Sequence, residues 1–159
     1  MSKYFPYGVV GPSTIPDVAD KILNECFEIF TELNLRACLC FGLCLGFVRD
    51  GGYIEGDNDL DLVVISQTGG LMPNLMEAMT AHGFTLKQTY PPPPNNVHFI
   101  KDGILVDIYL RTGGEYIDQF DEVRYKGSMY PIPSPIGAYL TECYGDWKTK
   151  ADEETKYYG

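Results

Sequence analysis

Phe41–Ile65, FGLCLGFVRDGGYIEGDNDLDLVVI, places a glycine-rich turn just ahead of acidic residues that sit inside a strand-like apolar run. Asp59 and Asp61 are two residues apart. In a β-strand such positions project from the same face, so the two carboxylates point together while Leu60 and Leu62 face the other way. A second apolar run, Ile104–Leu110 (ILVDIYL), carries one further acid, Asp107. A lone charge there would cost several kcal/mol to bury. The economical reading lays strands 59–66 and 104–111 side by side, so that Asp59, Asp61 and Asp107 converge on divalent ions, Mg²⁺ or Mn²⁺, that bridge phosphate oxygens.

Around this centre the chain reads as alternating helices and strands. Val18, Ile22, Leu23, Cys26, Phe27, Phe30 and Leu33 recur at three- and four-residue steps, which predicts an amphipathic helix over 17–34. Residues 36–41 (RACLCF) suit a short buried strand, and 42–50 a turn into a short helix that Gly51-Gly52 ends. Helical periodicity returns over 71–82, followed by a strand over 84–90. The run PPPPNN at 91–96 offers no amide donors over four residues and reads as an exposed loop. Residues 97–101 and 104–111, joined by Asp102-Gly103, predict a β-hairpin. The stretch 112–133 does not resolve into elements, although Tyr125-Lys126-Gly127-Ser128 suits a turn between short strands. Ser134-Pro135 is expected to cap a last helix that reaches about Cys143, with Gly145 as its terminator. The expected fold class is α/β (α+β): a single domain with a mixed β-sheet flanked by helices.

Composition narrows the function. The chain has 159 residues, enough to bury a core without staples. Twenty-two acidic against twelve basic side chains give a net charge of −10, which disfavours nucleic acid as a partner. A small phosphorylated ligand arriving with its metal is compatible with that charge. Five cysteines, an odd number, and no signal-peptide pattern point to a reducing, cytoplasmic setting. No apolar run reaches the roughly 20 residues of a membrane span.

The order of glycine turn, short helix, Asp-x-Asp strand and a later Asp on a neighbouring strand resembles the nucleotidyltransferase superfamily. Within it, Gly42-Leu43-Cys44-Leu45-Gly46-Phe47-Val48-Arg49-Asp50-Gly51-Gly52-Tyr53-Ile54-Glu55-Gly56-Asp57-Asn58-Asp59-Leu60-Asp61 is similar, without a gap, to the G-T-L-L-G-x-x-R-x-G-G-F-I-P-W-D-D-D-I-D segment of the LicD and fukutin-related family. Tyr130-Pro131-Ile132-Pro133, Leu140 and Tyr144-Gly145-Asp146-Trp147 resemble that family's closing pattern. The chain departs from it at Leu43, where the family has a hydroxyl residue, and at Glu55-Gly56, where it has Pro-Trp.

The resemblance implies a nucleotidyltransferase-like domain that moves a phospho-alcohol unit, phosphocholine- or ribitol-phosphate-like, from a CDP-linked donor to a glycan or other hydroxyl acceptor. The alternatives are transfer of a nucleoside monophosphate from an NTP to a small molecule or protein, and an idle nucleotide-binding module. Asp59, Asp61 and Asp107 would be the catalytic and metal-binding carboxylates. Amides around Gly42 and Leu43 would cradle phosphate, and Arg49 would add a forked contact. The short chain leaves room for a homodimer or partner chain to complete the acceptor site.

Competing readings accompany these residues. Asp59 and Asp61 would otherwise be a solvated strand end, Asp107 a salt bridge to Arg111 or Lys101, and Arg49 a surface cation. Asp57-x-Asp59-x-Asp61 starts like an EF-hand loop, but Leu62 and Thr68 stand where that loop needs glycine and glutamate. Asp57 is instead expected as a turn cap or outer carboxylate. Cys38, Cys40 and Cys44 lack zinc spacing and suit a buried strand and its turn. His82 has no partner visible in sequence, and neither does His98, which lies on the hairpin bordering the carboxylates. Tyr130, Tyr139, Tyr144 and Trp147 read mainly as core, with Tyr144 and Trp147 within reach of an acceptor.

Overall fold

The computed structural model of the protein describes residues 15–57, 59–90 and 96–149. Helix α1 spans Ile15–Glu32 and β1 Ala37–Leu39; α2, Phe41–Leu45, runs straight into a π-helical turn at Gly46–Asp50. Strand β2 is Asp59–Ile65, α3 Pro73–Ala81, β3 Thr85–Tyr90, β4 Asn96–Lys101 and β5 Ile104–Arg111. The chain continues through β6 (Phe120–Tyr125), β7 (Ser128–Pro133) and α4 (Ile136–Tyr144).

Five strands form one sheet in the order β1-β2-β5-β4-β3, and β6 and β7 form a separate hairpin. The β2–β5 pair is parallel and the other neighbours are antiparallel, so the sheet is mixed as expected. Both left-handed residues of the β4–β5 turn, Asp102 (φ 53°) and Gly103 (φ 79°), match the tight-hairpin chemistry read from sequence. The β6–β7 hairpin repeats it with Lys126 (φ 49°) and Gly127 (φ 81°), and so supplies elements in the stretch that periodicity left open. Residues 91–95 of the expected loop lie outside the described residues, and Asn96 belongs to β4.

The two faces of the sheet differ chemically. On one, Leu60, Leu62 and Val64 of β2 line up with Val106, Ile108 and Leu110 of β5, and Val97 and Phe99 of β4 continue the row. All are at most 1% exposed. Helix α1 reaches β5 and packs on α3, and it contributes Ala19, Ile22, Leu23, Cys26, Ile29 and Phe30 to the core. Its apolar stripe is why this segment is a helix: burial of that face, more than intrinsic propensity, stabilises it. The opposite face carries Asp59, Asp61, Asp107 and His98.

Two corrections to local expectations have clear causes. Ser134 does not cap α4. Instead the Asp121 carboxylate, reaching from β6, accepts the Ile136 amide at 3.0 Å and the Ser134 hydroxyl at 3.1 Å. The cap thus comes from a side chain 15 residues away, which no local pattern encodes. Ile29 and Ala19, absent from the expected stripe, are fully buried, whereas Val18, Phe27 and Leu33 sit at its edge.

Candidate active site

The β2–β5 register sets Asp61 directly opposite Asp107, with Asp59 opposite Leu105. Two residues along β2 restores the same face, so all three carboxylates lie on one side of two adjacent strands. They are 7%, 3% and 9% exposed for Asp59, Asp61 and Asp107. A solvated strand end is therefore not what the structure shows. Asp57, also buried, accepts the Asp59 amide through Oδ1 at 3.2 Å, which fixes the entry into β2 as a turn cap would.

Among the described residues, neither cation weighed as a partner for Asp107 forms an ion pair with it. Lys101 donates to both Glu25 oxygens at 2.8 and 2.7 Å. Arg111 donates to its neighbour's carbonyl and lies over the Tyr109 ring. The group that meets Asp107 is His98, its register partner on β4: Nε2 lies 3.0 Å from Asp107 Oδ1. The approach is close but poorly aligned, since Oδ1, sealed from solvent, takes no well-formed hydrogen bond. Sequence alone located His98 on the bordering hairpin, and only the register reveals its contact.

The phenols around the carboxylates remain protonated. Burial first, then the charges of Asp61 and Asp107, push the Tyr109 hydroxyl far above its ordinary value, and Tyr109 hydrogen-bonds Asp107. Burial followed by Asp61 does the same to Tyr144. The Cys40 thiol, completely buried beside Asp61 and Asp107, is likewise held well above its usual value by burial and then by Asp61. Its backbone amide donates to the Asp61 carbonyl at 3.0 Å and extends the β1–β2 ladder.

The first residue of α2 is held under strain. Phe41 adopts a left-handed φ of 46°, and its amide donates to the Tyr139 hydroxyl of α4 at 2.9 Å. Gly42 and Leu43 follow, both buried, with the Leu43 side chain in the core. Arg49, on the π-helical turn, spends its fork on Asp50, with Nε–Oδ1 at 2.8 Å and Nη2–Oδ2 at 3.0 Å. A phosphate contact by Arg49 would have to compete with that pair. The loop beyond is anchored by Tyr53, which donates to Asp20 of α1 at 2.6 Å, as does Tyr125 at 2.8 Å.

Oxygen-only donors such as these carboxylates match the preference of Mg²⁺ and Mn²⁺. The buried, poorly satisfied Oδ1 of Asp107 fits such a ligand role. Among the described residues, no three His, Cys, Asp or Glu side chains are already gathered into a set ready to hold a metal ion. Donor chemistry and strand placement thus fit the metal.

No family model and no curated protein matches the chain, so the LicD and fukutin-related resemblance finds no support there. Solved structures do align. The lincosamide antibiotic adenylyltransferase LnuA, lincomycin-bound, superposes with TM-score 0.57 at 18% identity over 76% of this chain and 83% of its own. The antibiotic-resistance factor ANT(2'')-Ia gives TM-score 0.58 at 13% identity over 75% of this chain and 66% of its own. Its complex with adenylyl-2''-tobramycin gives TM-score 0.55 at 13% identity, covering 77% and 76%.

The fold is nucleotidyltransferase-like. No helix among the described residues is long and apolar enough to cross a membrane.

Proposed function

We propose that the protein transfers a nucleoside monophosphate from an NTP to a hydroxyl of a small molecule. The observation that carries this reading is the cross-strand set of Asp59, Asp61 and Asp107 on one buried face of a nucleotidyltransferase-like sheet. The likeness to structures of adenylyltransferases, one bound to lincomycin and one to an adenylylated aminoglycoside, supports the NTP over a CDP-linked donor.

Asp59 and Asp61 would hold the metal with Asp107. Mg²⁺ or Mn²⁺, when bound, neutralises the triphosphate and favours departure of pyrophosphate. The protein's own residues orient the acceptor and its proton. Asp107, at the centre of the sheet, is the base that takes the acceptor hydroxyl proton as oxygen attacks the α-phosphorus. Tyr109, kept protonated, donates toward Asp107, and neither it nor the likewise protonated Tyr144 acts as a base. The amides at Gly42 and Leu43 face the donor phosphates, and Arg49 reaches them by leaving Asp50. Phosphoryl transfer of this kind depends chiefly on positioning and charge stabilisation.

One observation favours a second reading. The gapless Gly42–Asp61 segment resembles enzymes that transfer phospho-alcohols from CDP-linked donors. The products separate the two. The protein is incubated with Mg²⁺ or Mn²⁺, each of the four NTPs, and lincosamide, aminoglycoside or simple polyol acceptors, and in parallel with CDP-choline, CDP-ribitol and CDP-glycerol. Acceptor-dependent pyrophosphate release and a nucleotidylated product, both lost in Asp107→Asn, are the expected result. CMP release from a CDP-alcohol would replace the proposal with the second reading, and failure with every donor would refute both.

A further inference from the structure

Across the sheet, successive strands place Asp61 (β2), Asp107 (β5), His98 (β4) and Gln88 (β3) in one register row. The row runs from a nearly sealed carboxylate, through a histidine that is 6% exposed, to an exposed amide at the edge strand. A histidine that is 6% exposed on a sheet requires a polar neighbour on its own face. That neighbour is Asp107, at 3.0 Å.

We infer that His98 is the positioning residue of the site: its imidazole Nε2 sets the rotamer of Asp107 and thereby determines how the third carboxylate meets the metal and the acceptor hydroxyl. This rests on the function proposed above and deepens it. Three features support it. Asp107 is approached from two directions, by His98 on the adjacent strand, at 3.0 Å, and by Tyr109 two residues along its own. Lys101, which a salt-bridge account would bring to Asp107, is committed to Glu25. Among the described residues no three His, Cys, Asp or Glu side chains are already gathered as a metal-holding set, so the orientation of Asp107 bears on how the carboxylates would meet an ion. Groups that orient ligand carboxylates in this way typically change metal affinity or activity by about 10- to 100-fold when removed.

The test uses the full chain and Mn²⁺ alone, with binding read by electron paramagnetic resonance and by thermal shift. Wild type, His98→Ala, His98→Gln and Asp107→Asn are compared, and kcat and KM are measured with NTP for the same set. His98→Ala is expected to weaken Mn²⁺ by about 10- to 100-fold and to lower kcat with little change in NTP KM. Glutamine, whose amide nitrogen reaches a position close to Nε2, is expected to recover most of both. Metal-free unfolding temperatures of the folded variants should not follow the same order.

If His98→Ala binds Mn²⁺ and turns over like wild type, the inference is wrong. If His98→Gln is folded yet as impaired as His98→Ala, the positioning role of Nε2 is wrong. Nitrogen hyperfine coupling from an imidazole on bound Mn²⁺ would make His98 a ligand and overturn the positioning role. Wild type that binds Mn²⁺ no better than Asp107→Asn would overturn the proposed function itself, an outcome distinct from failure at His98 alone. Where His98→Ala does not fold, the Gln variant decides: loss of Mn²⁺ affinity smaller than about threefold is expected, and a larger loss refutes the inference.

Discussion

Replacing Gly46 by alanine should destabilise the protein even though alanine is the better helix former. Gly46 lies where α2 passes into the π-helical turn, with ordinary helical angles of φ −61° and ψ −45°. Propensity alone would therefore reward Gly46→Ala by about 1 kcal/mol. A Cβ at this position, however, would stand 2.5 Å from the Gly52 carbonyl oxygen, 3.1 Å from the Ile54 amide nitrogen and 3.2 Å from Ile54 Cγ1. Two of the three are backbone atoms, which cannot swing aside as a side chain does.

Restoring a contact near 3.4 Å requires the 51–54 segment to retreat by about 0.9 Å from the new methyl group. The same movement stretches the 3.3 Å hydrogen bond from the Gly52 amide to the Gly46 carbonyl. Overpacking of this kind costs about 1–3 kcal/mol, and the strained hydrogen bond adds about 1 kcal/mol. Set against the helical gain, the net loss is about 2 kcal/mol, or about 4–8 °C in Tm for a chain of this size. Urea unfolding followed by circular dichroism measures it, with an unchanged slope showing that the unfolded state is unaffected. Gly52→Ala is the control: its nearest heavy atom is Tyr125 Cε1 at 3.9 Å, so it should stay within about 1 kcal/mol of wild type. A Gly46→Ala protein as stable as wild type would refute the close packing of the turn against the loop that leads to Asp57 and Asp59.

Asp59→Asn and Asp107→Asn should each lower turnover by about 10²–10⁴-fold, while metal-free stability is kept or raised because a buried charge has been removed; near-normal activity in either would sink the three-carboxylate reading. Native thiols should resist Ellman's reagent. Burial pushes Cys38 up to about 12, and Cys26, Cys40 and Cys44 are also buried and raised, so labelling before urea should be confined to the half-buried Cys143. Glu25 supplies a pH signature. Burial opposes its ionisation, but hydrogen bonds and charge from Lys101, with help from His82, outweigh it and lower the folded-state value below 4.5. A group lowered in the folded state stabilises fully above its unfolded value and loses that contribution as pH falls through the folded one. The stability difference between wild type and Glu25→Gln should therefore be flat above about pH 5 and shrink as pH drops below about 4.5. Asp121→Ala should cost about 1 kcal/mol by uncapping α4, readable in the same urea assay.

The parts of this molecule legible in the sequence are those governed by neighbours along the chain. The 3.6-residue stripe located α1, the Asp102-Gly103 pair located the β4–β5 turn, and the two-residue step between Asp59 and Asp61 put both carboxylates on one face. Each depends on backbone geometry that a few consecutive residues determine. Even the pairing of β2 with β5 was readable, because a buried acid on each of two apolar strands needs a common purpose.

What only the tertiary structure decided are relations between distant strands and helices. The register that sets Asp61 against Asp107 and Asp107 against His98 depends on how the whole sheet packs, since a slip of one residue would send every one of these side chains to the other face. The Asp121 cap on α4, the Tyr139 hydroxyl on the Phe41 amide and the tyrosines that converge on Asp20 likewise join residues 15 to 105 positions apart. Chemical identity along the chain supplied the carboxylates, and the sheet register, which minimises exposed apolar area over all five strands at once, determined which groups they meet.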